Sequence, residues 1–300
     1  MLKIAWHPDY AHPLPEGHRF PMIKYELLPE QLLHEGTITQ DNLFAPSLLT
    51  EDRVLRTHDA EYWEKLKFQK LSRQEERRTG FPLSQKLVER EIRIMQGTVE
   101  CADYALKHGV ALNIAGGTHH AYTDRGEGFC LLNDIALGAN HLLDQGKANK
   151  VLVVDLDVHQ GNGTAEIFQN DDRVFTFSMH GAKNYPMHKE QSDLDIGLED
   201  GTDDRTYLAI LKEQLPKLFD IVEPDVVFFQ TGVDVLATDK LGRLAMTIDG
   251  CRERDLTVFQ KCLDSDVPVI CSMGGGYSED IRLIVEAHAN TFRLAQELYF

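Results

Sequence analysis

Cysteine is scarce and unpaired in this 300-residue chain: Cys101, Cys130, Cys251, Cys262 and Cys271 are odd in number and never form Cys-x-x-Cys. That argues against a disulfide frame or a cysteine-based zinc cluster and fits small, reduced core residues. Positive charge is also short, with 31 Lys and Arg against 48 Asp and Glu and a formal net charge of −17. Phosphate binding needs a basic footprint, so a direct nucleic-acid ligand is not expected. A cationic substrate such as a lysine-rich peptide or a polyamine suits this balance, because an acidic surface attracts it at long range. Long apolar runs are missing as well. The longest are strand-sized, so no membrane span is expected, and Met1-Leu-Lys-Ile-Ala-Trp-His-Pro8 lacks the basic-then-apolar order of a secretory signal. These absences together point to a cytoplasmic protein. No linker, repeat or spaced glycine fingerprint for a dinucleotide is found; Gly274-Gly-Gly276 is a contiguous triplet.

What the chain does contain is enough apolar residue, 42%, for one large core, so residues 1–300 are expected to form a single domain. Apolar runs at Lys3–Trp6, Val110–Ala115, Val151–Asp157, Val174–Met179, Asp225–Thr231 and Val267–Met273 read as strands. A short strand is also expected at Val54–His58, feeding a helix that starts near Asp59. Amphipathic stretches at 23–34, 84–106, 133–143, 207–222, 255–263 and 278–298 read as helices, while 67–81 is a charged surface excursion, a solvated loop or frayed helix, or else a substrate rim. Strands alternating with helices mean a three-layer α/β/α fold with a mainly parallel central sheet. Ligands bind at the carboxyl ends of the strands in such sheets, and the polar clusters follow the strand-like runs in that position.

The stretch Val151-Leu-Val-Val-Asp-Leu-Asp-Val-His-Gln-Gly-Asn-Gly163 is the most informative. Asp155, Asp157 and His159 fall at i, i+2 and i+4, and the two-residue period of an extended chain points them to one side. Such a cluster calls for a cation, with Asp157 and His159 as ligands and Asp234, just past another buried strand, as the third. Gly161 and Gly163 are expected to let the backbone turn sharply beside the ion. The donor set tolerates zinc or iron. His119 and His120, after Gly116-Gly117, supply acid and base, with Asp155 holding one ring charged and the neutral Asn162 orienting the other. Tyr277 can donate its phenolic hydrogen to a developing oxyanion. Gly128 and Phe129 form an apolar wall suited to an extended aliphatic chain.

Gly-Gly-Thr-His-His, Gly-Phe-Cys-Leu-Leu-Asn-Asp, Asp-Leu-Asp-Val-His-Gln-Gly-Asn-Gly, Thr-Gly-Val-Asp and Gly-Gly-Gly-Tyr occur in this order. The set resembles the zinc-dependent histone deacetylases of the arginase-deacetylase fold, and the Asn-Tyr-Pro around Tyr185 looks most like class IV and its bacterial relatives. The resemblance implies zinc on Asp157, His159 and Asp234, a catalytic pair at His119 and His120, and a carbonyl-polarising Tyr277. It also implies one potassium or sodium ion near Asp155, Asp157, His159, Ser178 and Met179, and a second near Phe168, Asp171 and Val174. Tyr185 joins the substrate pocket, and Arg19 resembles the arginine lining the exit path for released acid. The expected activity is hydrolysis of N-acyl-lysine in peptides or proteins, with acetyl or a longer fatty acyl group removed. N-acetylpolyamines or other small amides, and a non-catalytic acyl-lysine binding module, are the alternatives; the oligomeric state is left open.

Overall fold

Every residue of Val151–Asp155 is buried, as a strand covered on both faces must be. It is one strand of an eight-stranded sheet in a computed structural model that describes residues 1–300. In chain order the elements are β1 (Lys3–Ala5), α1 (Lys24–His34), β2 (Leu43–Phe44), α2 (Glu51–Val54), α3 (Ala60–Lys67), α4 (Arg73–Thr79) and α5 (Gln85–His108). There follow β3 (Val110–Asn113), α6 (Asp134–Asp144), β4 (Val151–Asp155), α7 (Asn162–Phe168), β5 (Val174–Gly181) and β6 (Leu194–Leu198). The chain ends with α8 (Asp204–Val222), β7 (Val226–Gln230), α9 (Ile248–Asp264), β8 (Val269–Ser272) and α10 (Ile281–Tyr299).

The strand order is β2-β1-β3-β8-β7-β4-β5-β6, and every pairing is parallel rather than mainly so. The two-residue period divides the apolar side chains between two cores. Leu152, Val154, Val227 and Phe229 pack with residues of α1, α8, α9 and α10, whereas Val151, Val153, Val226 and Phe228 pack with α6 and the C-terminal half of α5. These are the two helical layers of the α/β/α arrangement. Ser84 caps α5, its Oγ accepting from Leu87 N at 3.1 Å, and Gly109 ends it in a positive-φ conformation.

One local expectation is corrected, one is sharpened and one strand is added. Val54–His58 is the end of α2 and a turn, not a strand, because Val54 N and Leu55 N bond back to Thr50 and Glu51 while β2 occupies the sheet edge beside β1. The charged excursion contains α4, started by a capping box in which Ser72 and Glu75 serve each other's backbone N–H. The strand β6 was not expected, since Leu194-Asp-Ile-Gly-Leu is a half-exposed edge carrying Asp and Gly.

Candidate active site

Strand β4 ends at Asp155, and the chain bends before Asp157 and His159, so these three do not continue one extended face. Two local side-chain-to-backbone bonds and two tertiary ones bring them together instead. Asp157 N donates to Asp155 Oδ1 at 3.2 Å, His159 N to Asp157 Oδ1 at 3.0 Å, and Val158 N to Asp234 Oδ1 at 3.0 Å. Gly275 N donates to the other oxygen of Asp157 at 2.9 Å. Gly161 and Gly163 also differ from expectation: neither has positive φ, and Gly163 lies inside α7. They are needed for close approach, since a Cβ on Gly161 would collide with Asp155 and one on Gly163 with the Ala121 carbonyl.

Asp157, His159 and Asp234 are buried, and each offers a ligand atom within 4.8 Å of the others. His159 Nδ1 lies 3.1 Å from both Asp157 Oδ1 and Asp234 Oδ2. Burial opposes a charged imidazole there, yet the two carboxylates overcome it and raise its pKa to about 10. Burial and the neighbouring Asp157 push Asp234 up to about 7. Two buried carboxylates that hold a proton on the imidazole between them form a site demanding positive charge, and two oxygens with one nitrogen suit zinc or iron. The donor set therefore fits a divalent ion.

The tandem histidines point inward, their ring centroids 4.2 Å apart, with different partners. His119 Nδ1 lies 2.7 Å from Asp155 Oδ2, and His120 Nδ1 lies 2.6 Å from Asn162 Oδ1. Burial works against a charged His119, but Asp155 and Asp157 prevail and raise its pKa to about 9. Burial, reinforced by the charges of His119 and His159, drives His120 well below its ordinary value. One ring is thus held as imidazolium and its neighbour as free base. Tyr277 is held by its N–H on Asp239 Oδ2 at 2.6 Å, and burial together with Asp234 and Asp157 raises its phenol well above the ordinary range, so it stays a donor.

The wall is aromatic. Phe129 has φ 68°, a left-handed conformation imposed on a bulky residue. Gly128 N and Phe129 N are tied to the carbonyls of Arg78 and Thr79 at the end of α4, at 3.0 and 2.8 Å. A Cβ at Gly128 would stand 2.6 Å from the His120 ring. Tyr185 meets His120 edge-on at 4.9 Å. Phe20, His120, Gly128, Phe129, His159 and Tyr277 are among the residues enclosing a cavity of about 40 Å³.

Arg19 is a correction. It is exposed, its guanidinium carbon 5.1 Å above the Phe129 ring, on the outer side of the wall. The buried cation beneath Tyr277 is Lys24, whose Nζ donates to Gly274 O at 2.9 Å and whose pKa burial lowers to about 8. Arg90, also buried, lines the inner cavity and pairs with Glu91. Ser178 lies beside Asp155 in the β4–β5 register, but its hydroxyl is engaged with His180 Nδ1 at 2.9 Å, and Met179 follows it on β5. Phe168 and Asp171 use their carbonyls to accept from Asp171 N and Val174 N.

Two further charged groups next to the site, the buried Arg254 and the half-buried Glu127, have no counterpart among the sequence expectations. Arg254 donates to the carbonyls of Leu156, Gly232 and Thr231, which flank the triad, and is backed by Asp255. Its signal is helical spacing, since Cys251, Arg254, Asp255, Val258 and Cys262 share the buried side of α9. Glu127 Oε1 accepts from Asn162 Nδ2 at 2.7 Å, and Asn162 Nδ2 also donates to Tyr122 Oη at 2.9 Å. The five cysteines are all buried and free, as expected.

Comparison with known proteins follows this geometry. Residues 18–292 match the family described as "Histone deacetylase domain". A protein of Picosynechococcus sp., itself described as uncharacterized, is 44% identical over 298 residues, 99% of each chain. Histone deacetylase 2 of Arabidopsis thaliana is 32% identical over 218 residues, covering 71% of this chain and 56% of the relative, so this chain spans little more than half the plant protein. The crystal structure of an HDAC homolog from Aquifex aeolicus shares the fold with a TM-score of 0.84 at 23% identity, over 97% of this chain and 82% of that one.

Proposed function

Because the chain belongs to the histone deacetylase family, we propose that it is a zinc-dependent hydrolase removing a short acyl group, acetyl foremost, from the side-chain amide of lysine in a peptide or protein. The observation that carries this reading is the unequal histidine pair, one ring on a carboxylate and one on a carboxamide, beside the carboxylate–imidazole–carboxylate triad.

Asp157, His159 and Asp234 would hold the zinc, which when bound supplies Lewis acidity toward the amide carbonyl and toward water. His120, a free base at neutral pH with Nδ1 committed to Asn162, takes the proton of the attacking water on Nε2. Tyr277 donates its phenolic hydrogen to the carbonyl oxygen as negative charge develops there. His119, protonated on Asp155, places a positive charge 4.2 Å from the His120 ring. That charge disfavours keeping a second proton in the pair, so His120 returns its proton to the departing nitrogen as the C–N bond breaks. The products are a carboxylate and the free lysine amine. Gly128, Phe129 and Tyr185 offer apolar surface to the lysine methylenes, and the small cavity of about 40 Å³ beside the triad favours a small acyl group. Under the same reading, potassium or sodium belongs beside Asp155, Asp157, His159, Ser178 and Met179.

Release of free amine from one lysine peptide carrying acetyl or longer acyl groups tests this, with a chelated sample as control. Chelator-sensitive release, fastest on acetyl, is expected. No release from any chain by the zinc-loaded protein would refute it.

A further inference from the structure

The mouth of the pocket departs from the acidity of the rest of the chain. Arg19, Arg73, Arg77 and Arg78 are exposed, and none stands within ion-pair distance of a carboxylate. Many arginines elsewhere are paired, Arg173 with Asp171, Arg282 with Asp280 and Arg293 with Glu35 among them, and the unpaired Arg53 and Arg205 stand singly, whereas these four cluster. An aromatic contact places Arg19, a shared groove places Arg73 and Arg77, and the backbone of Arg78 is tied to the pocket wall. Arg19 covers the outer face of Phe129, whose ring also lines the catalytic cavity with Tyr277 6.0 Å away. Arg73 and Arg77 line a surface groove with His18 and Phe81, and those two rings lie 6.0 and 5.4 Å from Phe129. Arg78 holds Gly128 through its carbonyl.

Arg77 and Arg78 sit in the last turn of α4, where cations offset the helix dipole, and that alone would explain them. It does not explain Arg19, on a separate loop, or Arg73, at the opposite end of the helix. Glu76 is the one carboxylate lining the same groove, so the groove and Arg19 together keep an excess of positive charge. The overall charge of −17 does not cancel it. At physiological ionic strength charges are screened beyond about 8 Å, so a bound chain responds to the groups it touches.

We propose that the acylated lysine is recognised in an acidic sequence context, with carboxylates flanking the lysine set against Arg19, Arg73 and Arg77. This rests on the acyl-lysine reading above and specifies its substrate class. His18 and Phe81 of the groove lie 6.0 and 5.4 Å from Phe129, about the span of two residues of extended chain, which sets the groove beside the cavity where the residues flanking the lysine would run. The arginines lie outside Phe129, which assigns the negative charge to the carrier and not to the acyl end. A polycationic carrier, which the composition alone favours, meets like charge at this mouth.

Binding tests the idea without turnover. Three labelled peptides of equal length share one acetyl-lysine, flanked by Asp and Glu, by Gly and Ser, or by Lys and Arg. Their affinities are compared by fluorescence polarisation on the zinc-loaded Tyr277→Phe protein. Exposed ion pairs are individually weak, so the acidic peptide is expected to bind roughly five- to tenfold tighter than the neutral one at low salt, and the basic peptide most weakly. Raised salt should narrow the order. In the Arg19→Gln/Arg73→Gln/Arg77→Gln background the acidic-to-neutral ratio should fall to about two or less. A basic peptide binding best, an acidic preference that survives the triple substitution, or no difference among the peptides, failure to bind included, would overturn the proposal. Hydrolysis of the neutral peptide by the wild-type protein is read separately, so loss of the deacylase reading is distinguishable from loss of this one.

Discussion

Glu127 determines which way Asn162 faces. Its Oε1 accepts from Asn162 Nδ2 at 2.7 Å, so the amide nitrogen faces the carboxyl group and the amide oxygen faces His120 Nδ1, 2.6 Å away. Tyr122 Oη agrees with this polarity, accepting from Asn162 at 2.9 Å and donating to Glu190 at 3.0 Å. His120 therefore carries its hydrogen on Nδ1 and keeps the Nε2 lone pair free. Glu127→Gln adds a donor where only an acceptor stood, and the amide of Asn162 is no longer fixed. Nitrogen NMR of labelled histidine should then show His120 losing its single tautomer. Turnover should fall about tenfold, as for loss of other groups that orient a working imidazole. Normal turnover with an unchanged tautomer would mean that Asn162 is oriented without Glu127.

Tyr277→Phe isolates one hydrogen bond. The ring keeps its neighbours Phe20 and Phe129, 6.1 and 6.0 Å away, and no triad atom is altered. Zinc content and melting temperature should be unchanged, while turnover falls about 10²- to 10³-fold, the usual cost of an oxyanion donor. Loss of zinc in this variant would instead place the phenol in metal retention.

The parts legible in the sequence were those with a period or a motif. β4 and β7 read as buried strands because each side of an apolar run meets a helical layer, and α5 read as a helix from its apolar spacing and its glycine stop. The histidine pair and its two unlike partners are also readable, since Asp155 and Asn162 stand in the same short segment as Asp157 and His159. What stayed hidden depends on contacts between distant segments. Lys24 bonds to Gly274, 250 positions away, and nothing near Lys24 in the chain marks it as buried. The resemblance of Arg19 to the arginine of the acid exit path rests on local sequence, whereas the exposed guanidinium lies over the Phe129 ring. The glycines after His159 suggested a turn; their need for space is visible only once Asp155 and Ala121 have packed against them.

Metal removal should register in stability as well as in turnover. A ligand that binds only the folded chain adds about 2.7 kcal/mol at a free concentration a hundredfold above its dissociation constant. Chelation is therefore expected to lower the melting temperature by roughly 4 °C, with zinc restoring it. Asp234→Asn removes a charged ligand atom from the triad, and calorimetry of that variant should give nearly the same melting temperature with chelator or with zinc. A variant still stabilised by zinc to the wild-type extent would remove Asp234 from the site.

His58 links these segments through an uncharged ring. Its Nδ1 lies 2.9 Å from Tyr122 O, so it donates there, while Nε2 accepts from Asn133 N at 3.0 Å, and Asn133 caps α6. Both nitrogens are used in the neutral form, and protonation would turn the acceptor into a donor facing another donor. Burial lowers the folded pKa to about 4, against an ordinary value of 6.5, with the bonds to the 122 and 123 backbone opposing the shift. Between those values the unfolded chain binds the proton and the folded one does not, so this contribution is complete above pH 6.5 and is lost as pH falls toward 4. The difference corresponds to about 3 kcal/mol. His58→Gln keeps a donor and an acceptor but does not titrate. Urea unfolding should find wild type more stable than the variant at pH 7, with the gap shrinking steadily toward pH 4.5; groups common to both proteins cancel. A gap independent of pH would mean that His58 is not held neutral between Tyr122 and Asn133.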